Sequence, residues 1–155
     1  MTDKFENPLA RACTLADVAT LSALLPQLLA GNWSAEHMLQ SGNSPGNFRV
    51  MTIDVQGEEV LAGFAEVQQV LDECHLLNLA VALPWQGLGL GSWLLRSLLL
   101  EMQGKQISRA LLEVRVSNHR AIALYERCGF TRDGVRKDYY PVVAGLAERE
   151  DALLY

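Results

Sequence analysis

Three mostly apolar stretches, joined by connections too short for a crossover, constrain this chain more than any other feature. Residues 48–55 lead into Gln56-Gly57-Glu58-Glu59 and then residues 60–71. Asp72-Glu73 follows, then residues 74–82. Each stretch has strand length and ends at turn-forming residues. A parallel crossover takes a dozen or more residues, and neither connection has them. The three stretches therefore predict an antiparallel meander.

Helical patterns flank it. Thr14 reads as a cap, with Asp17 three residues on where the helix dipole favours a carboxylate. Leu15, Val18, Leu21, Leu25 and Leu28 then recur near helical spacing, and Pro26 inside that pattern predicts a kink or a break. Ser34 reads as the cap of a second short helix over 35–39. The Gly- and Pro-containing run 41–47 is too short for a domain linker and separates the helical part from the sheet. Residues 90–102 are apolar around most of a helical circumference, which predicts a helix packed deeply on a sheet. Residues 110–116 read as a strand and 118–128 as a helix, stopped by Gly129 at a left-handed cap. The last strands fall within 130–140 and 150–155. The expected fold is α/β (α+β): a central mixed, largely antiparallel sheet flanked by helices. A length of 155 residues predicts one domain over 1–155.

Composition narrows the function classes. Half the residues are hydrophobic and 20% are charged, which excludes a disordered chain. No apolar run approaches the ~20 residues of a membrane span, and the first residues show no secretory pattern. A net charge of −5 argues against nucleic acid as a partner and is compatible with a basic peptide or an amine. Cys13, Cys74 and Cys128 are odd in number and widely spaced, as in a reducing cytoplasm. His37, His75 and His119 form no ligand pattern with them, so no metal is expected.

Three motifs carry chemistry. Gln86-Gly87-Leu88-Gly89-Leu90-Gly91-Ser92 follows a predicted strand and opens a predicted helix. Such a loop can turn backbone N–H groups toward a phosphate at a helix N-terminus. It has no Gly-Lys-[Ser/Thr] and no Gly-x-Gly-x-x-Gly, so it is neither a Walker loop nor a dinucleotide fingerprint, and alone it reads equally as a tight turn. Glu113 lies in the middle of an apolar strand, where a carboxylate needs a partner or a use. Arg115, two residues on and on the same face, is the plain candidate partner. Tyr125 on the following helix reads, by itself, as a core tyrosine.

Together they resemble a family. Gln-x-x-Gly-x-Gly, a strand with a central Glu, and Asn-x-x-Ala-x-x-Leu-Tyr-x-x-x-Gly-Phe over residues 74–130 are similar to the GNAT superfamily of acetyl-CoA-dependent N-acetyltransferases. Leu112-Glu113-Val114-Arg115, Arg136-Lys137-Asp138-Tyr139-Tyr140-Pro141 and Trp33-Ser34 resemble the RimI family within it. The resemblance implies a GNAT-like sheet and acetyl transfer from acetyl-CoA, without a metal. The acceptor would be the N-terminal alanine of a small-subunit ribosomal protein, the eighteenth in the usual list. It also implies a cytoplasmic monomer that binds neither nucleic acid nor membrane. Glu113 would be the general base and Tyr125 the general acid. Gln86, Gly87, Leu88, Gly89, Leu90, Gly91 and Ser92 would hold the pyrophosphate, and Leu79, Ala80 and Val81 the pantetheine arm. Asn118 would touch the cofactor further along, and Trp33, Tyr139 and Tyr140 would meet the peptide. The chain departs from the family in having no Arg near Gly87 or Ser92. A lysine or small-amine acetyltransferase and a non-catalytic CoA sensor are the alternatives.

Overall fold

The computed structural model describes residues 5–28, 47–142 and 148–155. In chain order it contains β1 (Phe5–Ala12), α1 (Leu15–Leu28), β2 (Phe48–Val55), β3 (Glu58–Val70) and β4 (Glu73–Val81). A 3₁₀ turn at Leu83–Trp85 follows, then α2 (Leu90–Gly104), β5 (Arg109–Arg115), α3 (His119–Arg127), β6 (Gly134–Tyr140) and β7 (Glu150–Leu154). The strands form one seven-stranded sheet in the order β1-β2-β3-β4-β5-β7-β6. The meander expected from the short connections is β2-β3-β4. β4 and β5 alone pair in parallel, with α2 as their crossover.

The core lies on both faces of β2 and β3. Met51 and Ile53 join Leu90, Leu94, Leu95, Leu98 and Met102 of α2 in one apolar cluster. Phe48, Val50 and Phe64 meet Leu21 of α1 in a second. This double cover explains why Phe48 to Ile53 are all buried, Arg49 and Thr52 included, rather than alternately buried and exposed. A side chain buried as fully as Leu94 contributes roughly 1.5–3 kcal/mol.

Two expectations are corrected. The run 41–47 does not divide a helical part from the sheet, because β1, which precedes α1, already belongs to the sheet. β1 pairs antiparallel with β2 at the sheet edge, and its register shifts between Glu6 and Leu9, around Pro8. An edge strand tolerates a proline, which has no N–H to contribute, and the proline masked the strand pattern. Pro26 does not break α1, which is continuous to Leu28. In the last turn its missing N–H forfeits a single intrahelical bond, to the Ser22 carbonyl. The Thr14 start holds: its N–H and hydroxyl both donate to Asp17, at 2.7 and 2.9 Å. Ser34, Trp33 and the short helix expected over 35–39 lie outside the described residues.

The sheet splits at β4. Across from β3, Glu66 faces Asn78 and Val67 faces Leu76, so Leu77 is the extra residue of a β-bulge. Pairing with β5 ends at the same place, Leu76 opposite Leu112. A bulge bends its strand and increases twist. Beyond it β4 stays on β3 while β5 turns to β7, at Glu113 opposite Leu154.

Candidate functional site

The split leaves residues 77–81 of β4 with no strand on one side, so the main chain there has an open edge. A groove of about 390 Å³ runs along it. Leu79, Ala80 and Val81 form one wall, and the loop residues Gln86, Gly87, Gly89, Leu90, Gly91 and Ser92 the end. Gly63 lets β3 and β4 pack closely behind that wall. A β-carbon on it would stand 2.6 Å from the Ala80 carbonyl oxygen.

The loop is built to present backbone. Gly87 and Gly89 sit at φ +79° and +82°, where other residues are strained. Gly89 caps α2 without a side-chain hydrogen bond, so no capping side chain occupies the first-turn N–H groups. Gln86 ties the loop down: its Nε2 donates to the Val81 carbonyl at 2.9 Å, and its Oε1 accepts from Arg120 Nη1 at 3.0 Å. Leu90 is buried in the core and fixes the start of α2. Leu88 is partly exposed and does not line the groove. Asn118 lines it and also caps α3, accepting from Ala121 N–H at 3.2 Å.

A second pocket, of about 570 Å³, continues from the other end of the split strand. His75 to Asn78 of β4 line it, with Glu113 of β5 and Arg136, Tyr139 and Tyr140 of β6. The lining of the pocket ends at Asn78 of β4 and that of the groove begins at the next residue, Leu79. Glu113 is paired with Arg136, 3.2 Å away, and not with Arg115. Arg115 lies over the Tyr140 ring at 4.4 Å and 3.8 Å from Glu150. Register explains the exchange: Arg115, Ala152 and Arg136 stand in one row across β5, β7 and β6. The small Ala152 between them lets Arg136 reach diagonally to Glu113. Arg136 also lies over the Tyr139 ring at 4.6 Å, and the two tyrosine rings meet edge to face.

Tyr125 is buried within the core cluster and meets Phe130 edge to face, with centroids 6.0 Å apart. Its hydroxyl has no hydrogen-bond partner among the described residues. Burial pushes its phenol up to about 12, and the Tyr140 phenol adds to the effect. Burial also raises Tyr140, and Glu113 raises it further. Tyr125 itself lines neither the groove nor the pocket, whereas Glu113 and Tyr140 both line the pocket. Cys128 lines neither cavity and faces a separate depression with Leu99, Phe130 and Tyr155.

Sequence reasoning missed Arg120, Ala121, Leu124 and Arg127, which line the groove from α3. Their spacing of i, i+1, i+4 and i+7 marks one helix face, and that signal was available. Trp85 lines the groove too, from the 3₁₀ turn. Among the described residues no group of three or more His, Cys, Asp or Glu could hold a metal ion. No helix among them is long and apolar enough to cross a membrane.

A family model described as Acetyltransferase (GNAT) family matches residues 19–130. The [ribosomal protein bS18]-alanine N-acetyltransferase of Salmonella typhimurium is 41% identical over 106 residues, 68% of this chain and 70% of that one. The protein of the same name from Escherichia coli K12 is 46% identical over 94 residues, 61% of this chain and 62% of that one. The crystal structure of the ribosomal-protein-S18-alanine N-acetyltransferase from Escherichia coli superposes with a TM-score of 0.80 at 32% identity. That match covers 96% of this chain and 91% of the other.

Proposed function

The chain belongs to the GNAT acetyltransferase family, and from that premise we propose that it acetylates the N-terminal alanine of ribosomal protein bS18. One observation carries the reading: the open edge of β4 runs from a glycine-loop groove straight into a pocket holding Glu113, Tyr139 and Tyr140. A donor bound in the groove and an acceptor bound in the pocket would meet at Asn78 and Leu79.

The groove fits acetyl-CoA by its donors. The edge of β4 over Leu79, Ala80 and Val81 that no strand covers suits an amide-bearing arm, which would add as a strand does. The loop from Gln86 to Ser92 and the first turn of α2 suit a diphosphate. Bound there, acetyl-CoA supplies an acetyl group activated as a thioester. Glu113 takes the proton that the attacking amine loses, directly or through water. Tyr125 directs its proton toward the departing sulfur. The acceptor attacks directly in a ternary complex, because an amine that has lost its proton needs no covalent enzyme intermediate.

The acceptor class follows from proton availability. An α-amine with a pKa of about 7.7–8.0 is roughly 10–20% neutral at pH 7, whereas a lysine near 10.4 is neutral about once in a few thousand. The ion-paired carboxylate of Glu113 suffices for the first. Tyr139 and Tyr140, with Trp33, are assigned to the peptide's first residues. The reading includes a cytoplasmic monomer that needs no metal, binds no nucleic acid and stays off membranes.

The test is turnover against two peptides. One has a free N-terminal Ala and the ribosomal sequence; the other is N-blocked and carries an internal Lys. Turnover of the first alone is expected. Turnover of the second, or CoA binding without turnover of either, refutes the assignment in favour of a lysine enzyme or a sensor.

A further inference from the structure

The glycine loop brings no charge to the phosphates it is assigned. None of Gln86 to Ser92 is ionisable. Backbone N–H groups and a helix dipole supply partial charges, whereas a diphosphate carries about two full negative charges at neutral pH. Cations reach the groove from α3 instead, through Arg120 and Arg127. Arg120 is the one held at the loop. Its Nη1 donates to Gln86 Oε1 at 3.0 Å, and its Nη2 lies 4.0 Å from where a Gly87 β-carbon would stand.

We infer that Arg120 is the cationic clamp for the cofactor's diphosphate, delivered by α3 in place of a charged loop residue. The inference rests on the reading of this groove as the acetyl-CoA site. A guanidinium has five N–H donors in a fixed fork, and the bond to Gln86 uses one. The rest form a face suited to two phosphate oxygens at once. Gln86 is itself bonded to Val81, so the guanidinium is oriented by the strand that forms the groove wall. Preorientation lessens the ordering that binding must impose. Arg120 lies on the exposed surface, so salt screens its contact.

Calorimetric titration separates the possibilities. The ligands are CoA, dephospho-CoA without the 3′-phosphate, and acetyl-pantetheine without any phosphate. The proteins are the wild type, Arg120→Ala and Arg120→Lys. Arg120→Ala should weaken CoA and dephospho-CoA by the same factor, about tenfold, with a shallower dependence on salt. It should leave acetyl-pantetheine unchanged, and Arg120→Lys should recover part of the loss. Equal CoA affinity in wild type and Arg120→Ala overturns the inference. So does a loss that disappears with dephospho-CoA, which assigns Arg120 to the 3′-phosphate. A matching loss with acetyl-pantetheine also overturns it, because the residue then acts through loop structure. A wild-type protein that binds no CoA refutes the acetyl-CoA reading itself, a result distinct from all of these.

Discussion

Replacing Tyr125 by Phe removes one oxygen and keeps the ring, so it separates chemistry from packing. The ring stays in the core, and its edge-to-face contact with Phe130 is retained. The hydroxyl has no partner among the described residues, so its removal breaks no hydrogen bond there. Stability should stay within about 1 kcal/mol of wild type, since a typical hydrogen bond contributes only ~0.5–1.5. The phenol is held protonated up to about 12, against an ordinary value of 10. A thiol near 8.5 lies roughly 3–4 pH units lower, so complete transfer from Tyr125 to a departing thiolate is uphill by about 5 kcal/mol. On the proposed reading Tyr125 would therefore act as a preorganised hydrogen-bond donor to the sulfur as charge develops on it. Losing one such donor lowers kcat by about 10²–10³. Steady-state kinetics with the free-Ala peptide should show that loss with KM for acetyl-CoA unchanged. Thermal melts should show a Tm within about 5 °C of wild type. The wild type should also lack an alkaline limb near pH 10, because the phenol ionises about two units higher. A kcat within twofold of wild type would refute the donor role. A fall in Tm matching the fall in activity would refute the claim that the hydroxyl is structurally idle.

Glu113→Gln should lower kcat more than it raises KM; unchanged turnover removes the base assignment. Its fold should survive, because the lost partner, Arg136, is half exposed and such pairs contribute ~0–1 kcal/mol. Gly63→Ala puts a methyl 2.6 Å from the Ala80 carbonyl oxygen and 3.0 Å from the Met51 methyl. Met51 can move and the β4 backbone cannot, so a loss of about 1–3 kcal/mol in denaturant melts should accompany weaker CoA binding. Wild-type values of both would show that β4 yields there freely. Arg49 first, and Lys105 after it, hold the Glu101 carboxyl at about 2, against an ordinary 4.5. Its stabilisation is complete above pH 4.5 and is lost as pH falls through 2, because the unfolded chain takes up the proton first. Glu101→Gln should flatten that part of the acid profile of Tm; an identical profile would show that the pair contributes nothing.

Order along the chain was more legible than pairing across it. The meander followed from two connections that could carry nothing else, and α3 from Asn118 and Gly129 at its ends. β1 was hidden because Pro8 interrupts its pattern, while its position at the edge makes the proline tolerable. Pro26 misled in the opposite direction, since a proline in a last turn forfeits too little to break a helix. Glu113 was conspicuous as a carboxylate in an apolar strand. Its partner was not, because Arg136 is a neighbour only after β7 has placed Ala152 between two other strands. Arg120 was passed over for a related reason. Its helix face could be read from the spacing of Arg120, Ala121, Leu124 and Arg127, but only the fold sets that face beside Gln86.

β4 shows how little is needed to turn a sheet into a site. A continuous β4–β5 ladder would saturate the main chain of both strands and leave a ligand no backbone edge. One extra residue, Leu77, ends that ladder at Leu76. On the groove side the freed edge is Leu79 to Val81, backed closely by Gly63 so that it cannot retreat. On the pocket side the departing strand carries Glu113 one residue past the last parallel pair. The glycine loop and α2 follow immediately, because the crossover to β5 begins where β4 ends. The elements assigned to donor, acceptor and base thus take their positions from a single irregularity. Its removal should be more damaging than the loss of any one side chain around it.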